Sequence, residues 1–282
     1  MRSRRELPLT AGLIAGAAFL LTGPAALAEQ RPVIDTHIHY SHDAWAPLPP
    51  AKAIEVLKKA GLKRAFVSSS SDEGTQKLYR LAPKLIVPVL RPYRQRGEIS
   101  TWFKDETVIG MLEGLLKKNV YAGIGELHIF GKDADSTVMR GVVRLAREHK
   151  IFIHLHGDAD AVSRVFAQDP GATVLWAHSD FTQPDNVGAM LARHKRLWAD
   201  LAFRTEHYSG STVDPEWKKL FVAYPDRFTL GTDTFAPERW YYVEEHAKTA
   251  RAWLDTLPAD LADRIAYKNA EALAAWALKG KE

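Results

Sequence analysis

VIDTHIHY, residues 33–40, is the stretch on which the fold assignment depends. It is a short β-rich run that ends in two histidines, His37 and His39, placed one residue apart. Side chains at positions i and i+2 point to the same side of a strand, so both imidazoles can face one interior. One such pair decides little by itself, and its meaning depends on how the later strands end.

Short apolar runs alternate with longer helical patterns along the rest of the chain. Most of the runs are nearly continuous in apolar residues, as expected for parallel strands that are covered on both faces. Eight βα units in about 250 residues are typical of a (β/α)₈ barrel. The sequence therefore predicts the α/β class and a single-domain TIM barrel with eight strands: Val33–His39, Arg64–Ser69, Leu85–Arg91, Gly123–Ile129, Ile151–His156, Thr173–His178, Leu197–Ala202 and Phe228–Thr232.

The helical segments carry their own start and stop signals. AKAIEVLKKAG (51–61) ends on a glycine suited to a C-cap, and DSTVMRGVVRLAREHK (135–150) opens with capping residues and closes with basic ones. An open doubly wound sheet is the rival fold, and it favours a glycine-rich phosphate fingerprint after the first strand. No G-x-G-x-x-G occurs there, which favours the barrel.

Histidines and acids collect at the ends of the predicted strands. In a barrel those ends meet at one mouth, where catalytic groups lie. The chain has no cysteine, and imidazole with carboxylate is a ligand set of catalytic zinc and similar ions. The sequence predicts one or two divalent ions, zinc first and manganese, iron, nickel or magnesium as alternatives. His37 and His39 would hold them together with ligands from strands four, five, six and eight, whose ends carry Glu126, His154 and His156, His178 and Asp233.

These residue types suit hydrolysis. A divalent ion lowers the pKa of bound water from about 15.7 toward about 7. Asp233 is predicted to be catalytic, because its carboxylate can hold the water and accept its proton. Glu126 can bridge two ions, and its alternative role is to accept an N–H from a ligand histidine.

In its motif order the chain resembles the amidohydrolase superfamily over essentially all of residues 29–282. His37 and His39 match that family's H-x-H, His154 and His178 its histidines on strands five and six, and Asp233 its aspartate on strand eight. GIGEL (123–127) is similar to the glutamate-containing segment of TatD-like members, and IAYKNAEALAAW (265–276) to the C-terminal helix of the amidohydrolase-related branch, where Asn269 is structural.

Other polar residues have two interpretations each. His156 could replace His154 as a ligand, and His128 and His156 could contact substrate or bond to a loop. Arg91 and Arg204 could hold an anionic substrate group through their planar guanidinium groups, or form surface salt bridges. Four histidines without a converging partner are predicted to lie at the surface: His149, His194, His207 and His246.

The N-terminus predicts export. Residues 1–28 combine a basic start, an apolar run from Ala11 to Leu21 and an Ala26-Leu27-Ala28 cleavage signal, which is typical of a signal peptide. Ser3-Arg4-Arg5-Glu6-Leu7 partly resembles a twin-arginine signal, with an ordinary basic start as the alternative. Cleavage near Ala28 would leave a periplasmic or secreted protein, the barrel of residues 29–282, with no stable membrane span.

Charge and motifs together predict a function class. Losing three arginines and one glutamate with the leader changes the formal charge from +4 to about +2, which gives no general attraction to nucleic acid. We expect a hydrolase that cleaves an ester, lactone, phosphoester or amide bond of a small molecule, which can be anionic. The alternatives are a metal-dependent decarboxylase, a TatD-like nuclease and a non-catalytic metal-binding barrel, and the sequence leaves the oligomeric state open.

Overall fold

The computed structural model describes residues 30–281, so the predicted leader at residues 1–28 lies outside the described residues. Within residues 30–281, no helix is both long enough and apolar enough to cross a membrane.

Eight parallel strands form the barrel in the order β1-β2-β3-β4-β5-β6-β7-β10. A parallel bridge between Asp35 and Leu230 brings the last strand beside the first, and the Thr36 amide donates to the Leu230 carbonyl over 2.8 Å. The predicted TIM barrel is confirmed. The strands are β1 (Val33–Ile38), β2 (Leu62–Ser68), β3 (Ile86–Leu90), β4 (Gly123–His128), β5 (Phe152–His156), β6 (Val174–Trp176), β7 (Leu197–Asp200), the hairpin β8 (Tyr208–Ser209) and β9 (Thr212–Val213), and β10 (Phe228–Thr229).

Three predicted strands end two or three residues earlier than expected. Strand β6 stops at Trp176 because His178, Ser179 and Asp180 all have φ near 50°, in the left-handed region. β7 and β10 stop at Asp200 and Thr229, so Asp233, with φ 55°, lies in the loop after its strand. His178 and Asp233 therefore sit on the turns that leave the barrel.

Ten α-helices of residues 30–281 cover the barrel, and the helix of residues 137–149 follows the capping signals of the sequence. In α4, the Ser136 hydroxyl accepts from the Met139 amide, and the helix ends at Lys150 with φ 52°. The helices are α1 (Pro50–Lys59), α2 (Asp72–Leu81), α3 (Thr107–Lys118), α4 (Thr137–His149), α5 (Ala159–Gln168), α6 (Pro184–Arg193), α7 (Pro215–Ala223), α8 (Val243–Leu254), α9 (Ala259–Asp263) and α10 (Asn269–Leu278).

Helix α10 closes the amino-terminal end of the barrel. Its Ala270, Leu273 and Ala277 pack with interior residues such as Phe66 and Phe152 in one buried cluster. The Asn269 amide donates to the carbonyls of Pro225 and Phe228, both over 2.9 Å, which fixes the start of the helix against β10. This end of the barrel is filled by apolar side chains, and the polar groups are at the other end.

Candidate metal centre

Three histidines present one ring nitrogen each to a common point, while the other nitrogen is held from behind. Nδ1 of His39 donates to the Ser68 carbonyl over 2.7 Å, and Nδ1 of His178 donates to the Ala202 carbonyl over 2.8 Å. Nδ1 of His37 donates to Asp200 Oδ2 over 3.0 Å. With the hydrogen fixed on Nδ1, each Nε2 keeps a free lone pair, as a metal ligand requires.

Two buried carboxylates meet these Nε2 atoms. Glu126 Oε2 lies 3.2 Å from His39 Nε2, and its Oε1 lies 3.4 Å from His37 Nε2 and 3.5 Å from His178 Nε2. Asp233 Oδ1 lies 3.4 Å from His39 Nε2, and its Oδ2 lies 3.9 Å from His178 Nε2. The structure therefore brings five of the six predicted ligands to one point.

Glycine at position 125 makes the placement of Glu126 feasible. Gly125 has φ 140°, and an added Cβ would lie 2.1 Å from the His154 carbonyl oxygen and 2.7 Å from its Cβ. Any side chain at 125 would force β4 away from β5, because L residues rarely adopt this φ and the contact is with backbone. The glycine lets the two strands approach and holds Glu126 over the barrel axis.

The charge balance of the centre suits a cation. Burial alone would lower the pKa of His37, but the carboxylates of Glu126, Asp200 and Asp233 raise it well above its ordinary value. Burial alone would raise the pKa of Glu126, yet the surrounding histidines hold it well below its usual range. Buried carboxylates that stay ionised need nearby positive charge, and groups such as His37, His39 and Glu126 have donor atoms within 4.8 Å of one another. The residues present fit a divalent ion.

His154 lies deeper in the barrel than the other predicted ligands. Its Nε2 donates to Asp200 Oδ2 over 2.9 Å, and its ring centroid is 4.5 Å from that of His37. Burial lowers its pKa to about 4, so the ring is neutral. The structure places His154 with His37 and Asp200, which form another group of possible metal donors, and not against Asp233.

Asp200, at the end of β7, is a residue that the sequence reasoning missed. Its Oδ1 accepts from the backbone amides of His178 and Ala202 over 2.8 and 3.0 Å, while Oδ2 faces His37 and His154. It is completely buried, and the neighbouring histidines hold its pKa well below the usual range although burial acts to raise it. The available signal was an acid inside the apolar run LWADLA (197–202).

The other β5 histidine, His156, reaches the candidate metal centre from the solvent side. Its Nδ1 lies 2.7 Å from Glu126 Oε1, and its ring centroid is 4.2 Å from that of His128. The Tyr93 hydroxyl accepts from the His128 amide over 2.7 Å and lies 3.1 Å from its Nδ1. Glu126, His128 and His156 form a further group of possible metal donors at the barrel mouth.

The two predicted substrate-binding arginines have different surroundings. Arg91 is buried, with Nη2 2.7 Å from Glu126 Oε2, and it lines the mouth. Arg204 is also buried, but it donates to the carbonyls of His178 and Thr182 over 2.8 and 2.7 Å. It lines a different cavity, so the structure does not bring Arg204 to the mouth.

A cavity of about 300 Å³ opens above the centre. Its polar wall includes Arg91, His128 and Asp233, and its rim carries Phe181, Phe203 and Phe235. These three phenylalanines are between 44 and 49% exposed, which is unusual for this residue type. The Phe181 ring stacks on that of His178, with 4.7 Å between the ring centroids. The mouth combines fixed polar groups with an apolar edge.

Comparison with known proteins gives one matching family and several solved structures with a similar fold. A family model described as amidohydrolase matches residues 110–273, more than half of the chain. An uncharacterised TIM-barrel protein from Bordetella bronchiseptica is 15% identical, with a TM-score of 0.60, and the match covers 87% of this chain and 99% of that one. Among curated proteins, none matches.

Two further solved structures carry functional names. A probable 2-pyrone-4,6-dicarboxylic acid hydrolase from Acinetobacter baumannii is 11% identical, with a TM-score of 0.57 and coverage of 86% of this chain and 99% of that one. A TatD-family hydrolase from Entamoeba histolytica is 12% identical, with a TM-score of 0.53 and coverage of 88% and 99%. At such identities these similarities show a common fold and nothing more.

Proposed function

Because the chain belongs to the amidohydrolase family, we propose that it is a metal-dependent hydrolase acting on a small molecule. One observation carries the proposal: the Nε2 atoms of His37, His39 and His178 converge on Glu126 and Asp233 while each Nδ1 is bonded elsewhere. Histidines that only stabilised a core would have no reason to leave three nitrogens facing two ionised acids.

We propose His37, His39, His178 and Asp233 as ligands of a first ion, with Glu126 as a bridge and His156 available to a second. Nitrogen and oxygen donors without sulfur make zinc the first choice. When bound, the ion would acidify a water molecule and stabilise negative charge on the attacked group. His154 would support His37 from below through Asp200, in place of the ligand role that the sequence favours.

Asp233 is the residue we assign to proton transfer. It lines the mouth cavity and so can be reached by substrate, whereas Asp200 is fully buried. Its backbone is fixed, because its amide donates to the His37 carbonyl over 2.8 Å and its carbonyl accepts from Arg239 Nε. A fixed carboxylate at the mouth can take a proton from the attacking water and return it to the leaving group.

The walls of the mouth indicate the substrate class. Arg91 and the His128–His156 pair supply polar contacts on one side, and the phenylalanine rim offers apolar contact on the other. We propose a small substrate with an anionic or strongly polar group and an unsaturated or apolar body. The name of the Acinetobacter neighbour makes a dicarboxylated lactone one sensible member of the first screen.

The test is metal analysis of the purified protein followed by a screen of lactones, esters, phosphoesters and amides, with and without chelator. We expect bound metal, turnover that chelator removes and zinc restores, and loss of turnover in Asp233→Asn. The matched control is Asp226→Asn, an exposed aspartate in the α7–β10 loop.

Each rival function predicts a different readout in the same screen. Carbon dioxide released from an unsaturated acid would identify a decarboxylase, and salt-sensitive cleavage of DNA would identify a nuclease. Bound metal without any turnover would identify a binding barrel. Turnover that withstands complete metal removal would contradict the metal-dependent proposal itself.

A further inference from the structure

A second cavity, of about 460 Å³, lies outside the barrel wall between α8 and the loops that follow β7 and β10. It is larger than the mouth cavity and shares only Phe203 with it. About half of its lining residues are polar. Three are the hydroxyl residues Thr205, Tyr208 and Thr232, and the others are charged or imidazole groups: Asp35, Arg204, His207, Arg239 and His246.

Three of these residues have a buried nitrogen without a hydrogen-bond partner among the described residues: Arg204 Nε, His207 Nδ1 and His246 Nδ1. Arg204 and His207 are only 3% and 2% exposed as whole residues, so they are not side chains that simply face solvent. His207 was predicted to lie at the surface, and that prediction is wrong, because Trp217, Phe221 and Trp253 surround its ring. Unpartnered buried polar groups are rare in native proteins, and three around one cavity call for a ligand.

Of the two arginines that line this cavity, Arg204 is ion-paired with Glu206 and Arg239 has no such partner in the part of the chain that the structure describes. The Arg239 guanidinium donates to the carbonyls of Thr232 and Asp233, and no carboxylate lies within ion-pair distance of it in residues 30–281. Asp35 is the acid in the cavity lining, and both of its carboxylate oxygens already accept hydrogen bonds. The donors are the amides of His37 and Thr232 and the Thr232 hydroxyl. A bound anion would therefore meet an arginine whose charge is uncompensated.

Apart from three hydroxyl residues, the remaining wall is apolar. Leu201, Leu230, Ala250 and Trp253 line the cavity, and the Phe203 ring lies 4.4 Å from the Arg239 guanidinium. Such a wall would exclude a strongly hydrated inorganic ion and would pack against a hydrocarbon or aromatic group. Planar guanidinium groups match the geometry of a carboxylate.

We propose that this cavity is a binding site for a small organic carboxylate with an apolar body, distinct from the metal centre. The carboxylate accepts from the Arg239 guanidinium and from the unpartnered Arg204 Nε and His246 Nδ1, and its apolar part lies against Trp253 and α8. The proposal is independent of the hydrolase assignment, because it rests on none of the proposed metal ligands.

The probe is benzoate, with neutral benzamide as its isostere, titrated calorimetrically into the full-length protein and two variants. Ala250→Phe fills the cavity from α8, and the control Ala252→Phe makes the same change at an exposed position of that helix. We expect wild type and Ala252→Phe to bind benzoate with a Kd of about 1 mM or below, and benzamide much more weakly. Ala250→Phe should lose at least about tenfold in affinity.

A further variant and direct location of the ligand show whether a loss of benzoate affinity comes from the cavity or from misfolding. His246→Leu, at a half-buried position, should weaken benzoate about three- to tenfold through one lost hydrogen bond, and it should not change the binding of benzamide. Anomalous scattering from bound 4-bromobenzoate should place it beside Arg239. Undetectable benzoate binding, equal weakening in both alanine variants, or bromine found only at the mouth would each overturn the proposal.

Discussion

Replacing Asp200 by asparagine tests how the metal centre is oriented. Asparagine has the same shape and keeps one oxygen, so the bonds from the amides of His178 and Ala202 to Oδ1 can persist. In the wild type, Oδ2 accepts from His37 Nδ1 over 3.0 Å and from His154 Nε2 over 2.9 Å. In the variant, an NH₂ group replaces this oxygen. A donor at that point favours the His37 tautomer that carries its hydrogen on Nε2, the atom 3.1 Å from His39 Nε2.

The size of the effect follows from that change of tautomer. To bind a metal through Nε2 in the variant, His37 must carry its hydrogen on Nδ1, where it faces the NH₂ group of asparagine. The hydrogen bond that Nδ1 makes to the charged Asp200 carboxylate in the wild type is then lost. Such bonds contribute about 1.5–3 kcal/mol, and loss of a residue that supports a ligand histidine weakens metal binding about 10- to 100-fold. We therefore expect Asp200→Asn to bind zinc about 10- to 100-fold more weakly than wild type, which is about 1.4–2.7 kcal/mol.

The assay is competition for zinc between the protein and a chromophoric chelator, with Asp226→Asn as the exposed control. Thermal unfolding of the metal-free proteins separates a loss of metal affinity from a loss of fold. If Asp200→Asn is folded and binds zinc as tightly as wild type, Asp200 does not set the tautomer of His37, and the orientation argument is wrong.

Three further predictions address the second ion, a buried histidine and the N-terminus. Glu126→Gln should lower the metal content from about two ions to one, because a neutral amide bridges two cations poorly; unchanged content by elemental analysis would leave Glu126 a supporting role. Burial lowers the pKa of His207 from 6.5 to about 3, so the folded state binds fewer protons and stability is lost as pH falls below 6.5. His207→Phe should remove about 2 kcal/mol of the stability that wild type loses between neutral pH and about pH 5, measured by urea unfolding at each pH. We also propose export with cleavage near Ala28, and N-terminal sequencing of periplasmic or secreted protein should then begin close to Glu29; an intact Met1 in that material would contradict it.

The sequence predicts the barrel well because its strands obey a simple physical rule. Parallel strands covered on both faces must be apolar along their length, and a polar residue is tolerated where the strand leaves the core. His39 and Asp233 stand at such points, so their convergence follows from barrel closure. The left-handed turn at His178 has no comparable signal, because none of residues 178–181 is glycine.

Residues that depend on packing between distant segments could not be predicted in this way. His207 lies just before the β8–β9 hairpin, and no periodicity surrounds it. It is buried because α7 and α8 bring Trp217, Phe221 and Trp253 around its ring. Asp200 resembles any acid at a strand end until the structure places two histidines against the same oxygen.

The two histidines of β5 show which part of a metal site strand periodicity leaves open. His154 and His156 share one face of the strand, as spacing requires, but two residues of strand separate them by about 6.6 Å along its axis. That distance decides their partners: His154 meets Asp200 below the centre, and His156 meets Glu126 above it. The height along the barrel axis at which the candidate ligands converge is set jointly by β1, β4 and the turn after β6. A same-face rule can therefore identify the pair that points inward, and only the relative heights of the strands decide which member lies level with the other candidate ligands.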